Sequence, residues 1–173
     1  VIGTGRIGTA FALKSKGFEM KVLYHDINKN EKLEKVLNAE KVNLKKLLKE
    51  SDFISIHVPL IKETHHLISK KELNLMKKDA ILINTSRGPV VDEKALAQKL
   101  KEKGIFGAGL DVYEDEPKIN KELLKLNNVI LQPHSASATN DTRTKMSIIA
   151  AENMIDGLDG KIPKNCINRE VFN

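Results

Sequence analysis

Three side chains of this 173-residue sequence have the chemistry to act on a small polar molecule: Arg87 in "NTSRG", Glu116 in "YEDEP" and His134 in "QPHSA". A guanidinium is planar and forks onto a carboxylate. The chain uses 25 Lys but four Arg, which suggests that Arg is kept where a forked donor is needed. An imidazole exchanges a proton near neutral pH. A carboxylate beside it raises the imidazole pKa and fixes its tautomer. The three lie far apart in the chain, so only the fold can gather them. A loop histidine is otherwise simply solvated, and that reading stays open at this point.

The elements that must position them alternate between short apolar runs and helical stretches. Apolar runs occupy 1–3, 20–25, 53–58, 80–83, 105–112 and 129–131. Helical spacing covers 6–16 with Gly17 as its stop, 44–50, 70–77, 93–103 and about 141–158, with a further turn or two at 120–125. Ser69 and Glu72 form a capping box, and Asp92 caps the helix that ends at Gly104. This alternation predicts right-handed β-α-β units: an α/β, doubly wound parallel sheet of Rossmann-like type with helices on both faces. His57-Val58-Pro59, Asn84 to Gly88 and Asp111 then fall at the carboxyl ends of strands. Ligands of open α/β sheets bind at that edge.

Gly3-Thr4-Gly5-Arg6-Ile7-Gly8 is G-x-G-x-x-G, set between an apolar run and a helix. Gly3 makes the tight turn, Gly5 lets a pyrophosphate approach the backbone, and Gly8 lets helix and strand pack closely. The helix start supplies N–H groups and partial positive charge. Asp26 ends the second run, eighteen residues beyond Gly8. A carboxylate there accepts from ribose hydroxyls and repels a 2′-phosphate, which favours NAD over NADP. A turn-forming Asp is the other reading, and nearby Lys29 and Lys32 weigh toward phosphate.

Net charge is +6, but the lysines are scattered over helices and aromatic residues are few, so a nucleic-acid partner finds no motif. No apolar run has the length of a membrane span. A lone Cys166 and the lack of a secretory leader predict a cytoplasmic protein. The last helix carries two apolar faces, Met146, Ile149 and Ala150 on one, Ile148, Ala151, Ile155 and Leu158 on the other, as a helix between two bodies does.

"GTGRIG", "HVPL", "INTSRGPVVDEKAL", "GAGLDVYEDEP" and "PHSASAT" follow one another in an order and spacing that resemble the D-isomer-specific 2-hydroxyacid dehydrogenases. The likeness spans essentially the whole chain. It is strongest toward their glyoxylate/hydroxypyruvate reductase branch, which "IPKNCINREV" also resembles. The resemblance implies NAD(H)-dependent interconversion of a small 2-keto acid and a D-2-hydroxy acid by hydride transfer. It implies that Arg87 orients the keto acid, His134 protonates the carbonyl oxygen, and Glu116 keeps the imidazole protonated and aimed. It further implies that Asp111 meets the nicotinamide carboxamide. Arg6, Ile7, Val58, Pro59, Thr64, Thr85, Ser86 and Ala136 would line the cofactor. It calls for no metal, no membrane and a homodimer. Ala136 is a departure: the family has a glycine there, after the histidine.

Only Val1 and Ile2 precede Gly3, fewer than a strand ordinarily holds, which predicts a strand cut at its start. The resemblance implies a substrate domain of roughly a hundred residues or more ahead of the glycine turn. It divides this chain into a dinucleotide-binding domain, 1–140, and a helix and tail, 141–173, that return to the missing part. The competing reading is a non-catalytic NAD-binding interaction or sensor module on the same fold. Such a module needs the cofactor residues but not Arg87, Glu116 and His134.

Overall fold

The computed structural model describes residues 1–172. They fall into two units, Val1–His134 and a second that begins at Ser135. In the first, α1 (Arg6–Lys14), β1 (Leu23–Tyr24), α2 (Glu31–Leu37), β2 (Glu40–Lys41), α3 (Leu44–Glu50) and β3 (Phe53–Ile56) follow in order. Then come α4 (Lys70–Leu73), β4 (Ile81–Asn84), α5 (Glu93–Lys101), β5 (Gly107–Leu110) and β6 (Val129–Leu131).

All strand pairings are parallel. β1 pairs with β2, and β3-β4-β5-β6 form a second sheet. Ile2 joins the two through parallel bridges to His25 and Ile56. Its neighbours complete the ladder: Gly3 N–H donates to His25 O at 2.9 Å, and His57 N–H to Ile2 O at 2.7 Å. The strip therefore runs β2-β1-Ile2-β3-β4-β5-β6, the doubly wound order. It places the carboxyl end of every strand at one edge.

Register puts Ile54, Leu82 and Ala108 on one sheet face, where they join Leu73 of α4 and Leu96 and Leu100 of α5 in the main core. Each fully buried Leu or Ile contributes roughly 1.5–3 kcal/mol. A smaller cluster of Ala12, Tyr24 and Leu33 fastens α1 and α2 to β1. Side chains cap the helices as their sequence starts dictate. Asn43 accepts from Lys46 N–H, Asp92 accepts from Ala95 N–H, and Ser69 with Glu72 completes the capping box.

Several elements differ from the pattern-based reading. Gly17 does not stop α1: the helix ends at Lys14, a 3-10 turn covers Ser15–Phe18, and Glu19 takes the left-handed conformation. α5 likewise ends before Gly104, with Lys103 at positive φ. α4 is one turn long because Asn74 already closes it. The stretch 120–125 supplies only a 3-10 turn, Leu123–Lys125. The runs at 20–25 and 105–112 shrink to β1 and β5. The apolar pattern announces neither α2 nor β2.

In the second unit, α6 (Asn140–Leu158) starts at Thr139, whose side chain accepts from Thr142 N–H. The chain then turns at Gly160, and Asn165 N–H donates to Asn153 Oδ1 at 3.2 Å. None of the residues of α6 is buried. Among the described residues no helix is long and apolar enough to cross a membrane.

Candidate active site

The glycine turn has a steric reason at each position. Gly3 sits at φ +86°, and a Cβ there would come within 2.8 Å of the His57 carbonyl carbon and Val58 Cγ1. A Cβ on Gly8 would lie 2.0 Å from Gly3 O. At Gly5 a side chain would meet nothing within 4 Å, so the backbone is open on that side. Gly5 is also the N-cap of α1 and offers no side chain to its amides. An open backbone at an uncapped helix start is what a pyrophosphate needs. Arg6 and Ile7 are exposed beside it.

Asp26 closes the same turn. Its Oδ2 accepts from Thr4 N–H at 2.6 Å and from the Thr4 hydroxyl at 3.0 Å, and Oδ1 accepts from Asn28 N–H at 3.0 Å. Burial opposes its charge, but these donors and the Lys41 charge outweigh burial and hold the carboxyl below its ordinary value. Three acceptor positions of about four are thus filled, which leaves one for a ligand hydroxyl. Lys29 is engaged by Glu34 at 3.0 Å. Both readings of Asp26, turn former and acceptor, are compatible with this geometry.

Under the turn lies His57, which the strand pattern places at the ligand edge but gives no packing role. Its ring nitrogen Nε2 meets Ser55 Oγ at 2.9 Å, and burial pulls its pKa down to about 4. It is a neutral packing group beside Gly3 and Gly8, and nothing in its local sequence signals that.

The strand ends supply the remaining groups. After β4, buried Asn84 accepts from Ser86 N–H and Oγ–H and donates to Arg87 O, so one side chain orders the loop that carries Arg87. Arg87 Nη1 donates to Ser86 O at 2.6 Å; the side chain is otherwise exposed, as is Thr85. After β3, the Thr64 hydroxyl donates to Pro59 O at 2.6 Å and stiffens its own loop, while Val58 lies against Gly3. Asp111 is buried directly after β5.

Glu116 and His134 meet. His134 Nδ1 lies 2.8 Å from Glu116 Oε2, and Glu116 Oε1 accepts from Tyr113 N–H at 3.0 Å. The His134 bond, then the Tyr113 amide, hold the Glu116 carboxyl below its ordinary value, and the Arg87 charge acts in the same sense. His134 holds φ +54°, and the Glu116–Pro117 peptide is cis. Gly88 links the two sides of the site: a Cβ there would fall 1.9 Å from the Tyr113 carbonyl, so Arg87's neighbour packs on the backbone of the turn that carries Glu116. Ala136 belongs to the second unit, which begins one residue after His134.

A parallel strip with a glycine turn at its centre and a His–carboxylate pair at its carboxyl edge has the form of a dinucleotide-binding domain. Residues 1–136 match the model of the D-isomer specific 2-hydroxyacid dehydrogenase, NAD binding domain, and the chain belongs to that family. It is 54% identical over 172 residues to the glyoxylate reductase of Thermococcus litoralis, covering 99% of this chain and 52% of that one. Among solved structures, the TT0316 protein of Thermus thermophilus matches with TM-score 0.89 at 41% identity, over 96% of this chain and 52% of that one. The D-lactate dehydrogenase of Aquifex aeolicus, complexed with NAD and lactic acid, matches with TM-score 0.85 at 39% identity, over 92% and 52%. The chain spans about half the length of the curated relatives it matches.

Proposed function

We propose that this chain is the cofactor-binding part of an NAD(H)-dependent oxidoreductase that interconverts a 2-keto acid of the glyoxylate or hydroxypyruvate kind and a D-2-hydroxy acid. The observation that carries the reading is the His134–Glu116 pair at 2.8 Å on the carboxyl edge of the sheet. A cofactor-only module has no use for it. When bound, the dinucleotide supplies or accepts the hydride.

The chain's own groups do the rest. Glu116 holds Nδ1–H of His134, which leaves Nε2 as the nitrogen that gives a proton to the keto oxygen. Hydride addition builds negative charge on that oxygen, and the imidazolium and Arg87 answer it with fixed positive charge. The Arg87 guanidinium forks onto the substrate carboxylate. In reverse, Nε2 takes the hydroxyl proton. Asp26, charged and beside Gly3, accepts from the adenosine ribose and disfavours a 2′-phosphate; the Lys29–Glu34 pair withdraws one cation that would attract it. Asp111, Arg6, Ile7, Val58, Pro59, Thr64, Thr85 and Ser86 complete the cofactor surface of the first unit. The resemblance also supports a homodimer working in the cytoplasm, tested by sedimentation and by cell fractionation.

NADH oxidation by the full-length protein with glyoxylate or hydroxypyruvate tests the reaction; the 173-residue chain alone is expected to bind cofactor with little turnover. Turnover is expected in the parent and lost in His134→Ala. Full activity in that variant removes His134 from the mechanism.

A further inference from the structure

Glu93 is the first residue of α5, and it is 4% exposed. Carboxylates are rarely buried unless paired, and among the described residues no ion pair includes it. Capping does not explain it, because Asp92 already accepts from Ala95 N–H at 2.9 Å. Instead its Oε1 accepts from the backbone N–H of Glu114 at 2.5 Å. Burial pushes the Glu93 carboxyl up, the Glu114 N–H opposes that, and the nearby charges of Glu114, Glu116 and Asp115 add to the rise. A buried acid facing three others is an unfavourable arrangement for packing alone.

The amide it holds is next to the one that matters for the proposed chemistry. Tyr113 N–H donates to Glu116, and the following amide donates to Glu93. The peptide between them is the one Gly88 packs against. Tyr113 Oη–H donates to Gln132 O at 2.7 Å, two residues before His134. The side chain of Glu114 is held by His66 Nε2. The turn is therefore gripped from α5, from the Arg87 loop and from the end of β6.

We infer that Glu93 is a positioning residue that, through the Glu114 amide, fixes the turn presenting Glu116 to His134. The inference rests on the proposed roles of Glu116 and His134. Glu93 touches neither substrate nor cofactor. With the Glu114 N–H released, the segment from Tyr113 to Glu116 loses its tether to α5, and the Glu116 carboxyl shifts off the Tyr113 N–H. Glu116 then loses a donor that keeps it charged, and His134 loses its aim.

The test is a carbon-detected NMR titration of the Glu116 carboxyl in the unliganded full-length protein, run beside its NADH turnover with glyoxylate. In the parent the midpoint lies below the ordinary 4.5. In Glu93→Ala it returns toward that value, and turnover falls about ten- to a hundredfold with NADH affinity unchanged. Glu93→Gln keeps an oxygen for the Glu114 amide, so it retains the low midpoint and recovers most of the turnover. Should the Ala variant fail to fold, Glu93→Asp, one methylene shorter, is read in the same way. An unmoved Glu116 midpoint in a folded Ala or Asp variant overturns the inference, as does a Gln variant as impaired as Ala. A parent that binds NADH but reduces no 2-keto acid removes the reaction instead, and the Glu116 titration still decides the contact.

Discussion

Glu93 and Glu116 take hydrogen bonds from consecutive backbone amides, those of Glu114 and Tyr113. Their surroundings are opposite. Glu93 is buried at the start of α5, among like charges, and is pushed toward its neutral form. Glu116 stands at the sheet edge, partly in water, facing an imidazole, and is held in its charged form. One turn thus donates to a buried carboxyl from α5 and to a half-exposed carboxyl of its own. The comparison teaches that a carboxylate's role follows from what surrounds it and not from the bond it makes, since both accept one backbone N–H.

The largest expected disturbance comes from removing the contact that both share. Gly88→Ala places a Cβ 1.9 Å from the Tyr113 carbonyl. It should cost about 3 kcal/mol or more in urea unfolding and abolish turnover, because Arg87 and Glu116 are displaced together. Next, His134→Ala removes the partner of Glu116 and leaves Glu93 untouched. Turnover should fall about 100- to 10,000-fold at unchanged NADH affinity, and the Glu116 carboxyl should titrate nearer 4.5. Asp26 extends the contrast as a carboxylate that is both anchored and charged. Asp26→Ala should reduce the preference for NADH over NADPH by about tenfold in paired KM measurements; an unchanged ratio removes the ribose contact.

The smallest effect is the most specific. The folded midpoint of Glu116 lies below 4.5, so its contribution to stability is in place above that pH and is lost as pH falls through the depressed midpoint. The folded midpoint of Glu93 lies above 4.5, so its contribution is complete below 4.5 and is lost as pH rises through the raised midpoint. Glu116→Gln should therefore flatten the acid side of the stability profile by a few tenths of a kcal/mol, since water screens this half-open pair. Glu93→Gln should gain on the parent as pH rises from 4.5 toward neutrality. Slopes of the same sign in both variants would erase the distinction.

What the residues revealed directly was local chemistry. The Ser69–Glu72 box and the Asp92 cap are readable because a helix start is satisfied by its own neighbours in sequence. The glycine turn is readable because its three positions have separate steric reasons. α2 escaped notice because only Leu33 of its seven residues is buried, too little for a periodic signal. β2 escaped because Glu40 and Lys41 are both exposed and charged. Gly17 and Gly104 looked like helix stops, yet Glu19 and Lys103 take the left-handed positions, each donating its N–H three residues back, to Lys16 O and Leu100 O. In the site, Arg87, Glu116 and His134 stand out by residue type and by where strands end. Glu93 and Gly88 do not, because their partners lie 21 and 25 residues away in the chain and only the folded sheet brings them together.

Val1–Gly3 is the strip that stitches the two sheets to each other. Any opening of that seam parts β1 and β2 from the larger sheet, and amide exchange there reports it. The glycine turn and Asp26 stand at the end of the same seam, one on each side of it. A dinucleotide spanning both would act as a clasp, adding its binding energy to the two-stranded sheet before the four-stranded one. Exchange at Val42, whose N–H reaches Tyr24 O, should then slow on adding NADH, while Leu82 in the middle of the larger sheet keeps its rate.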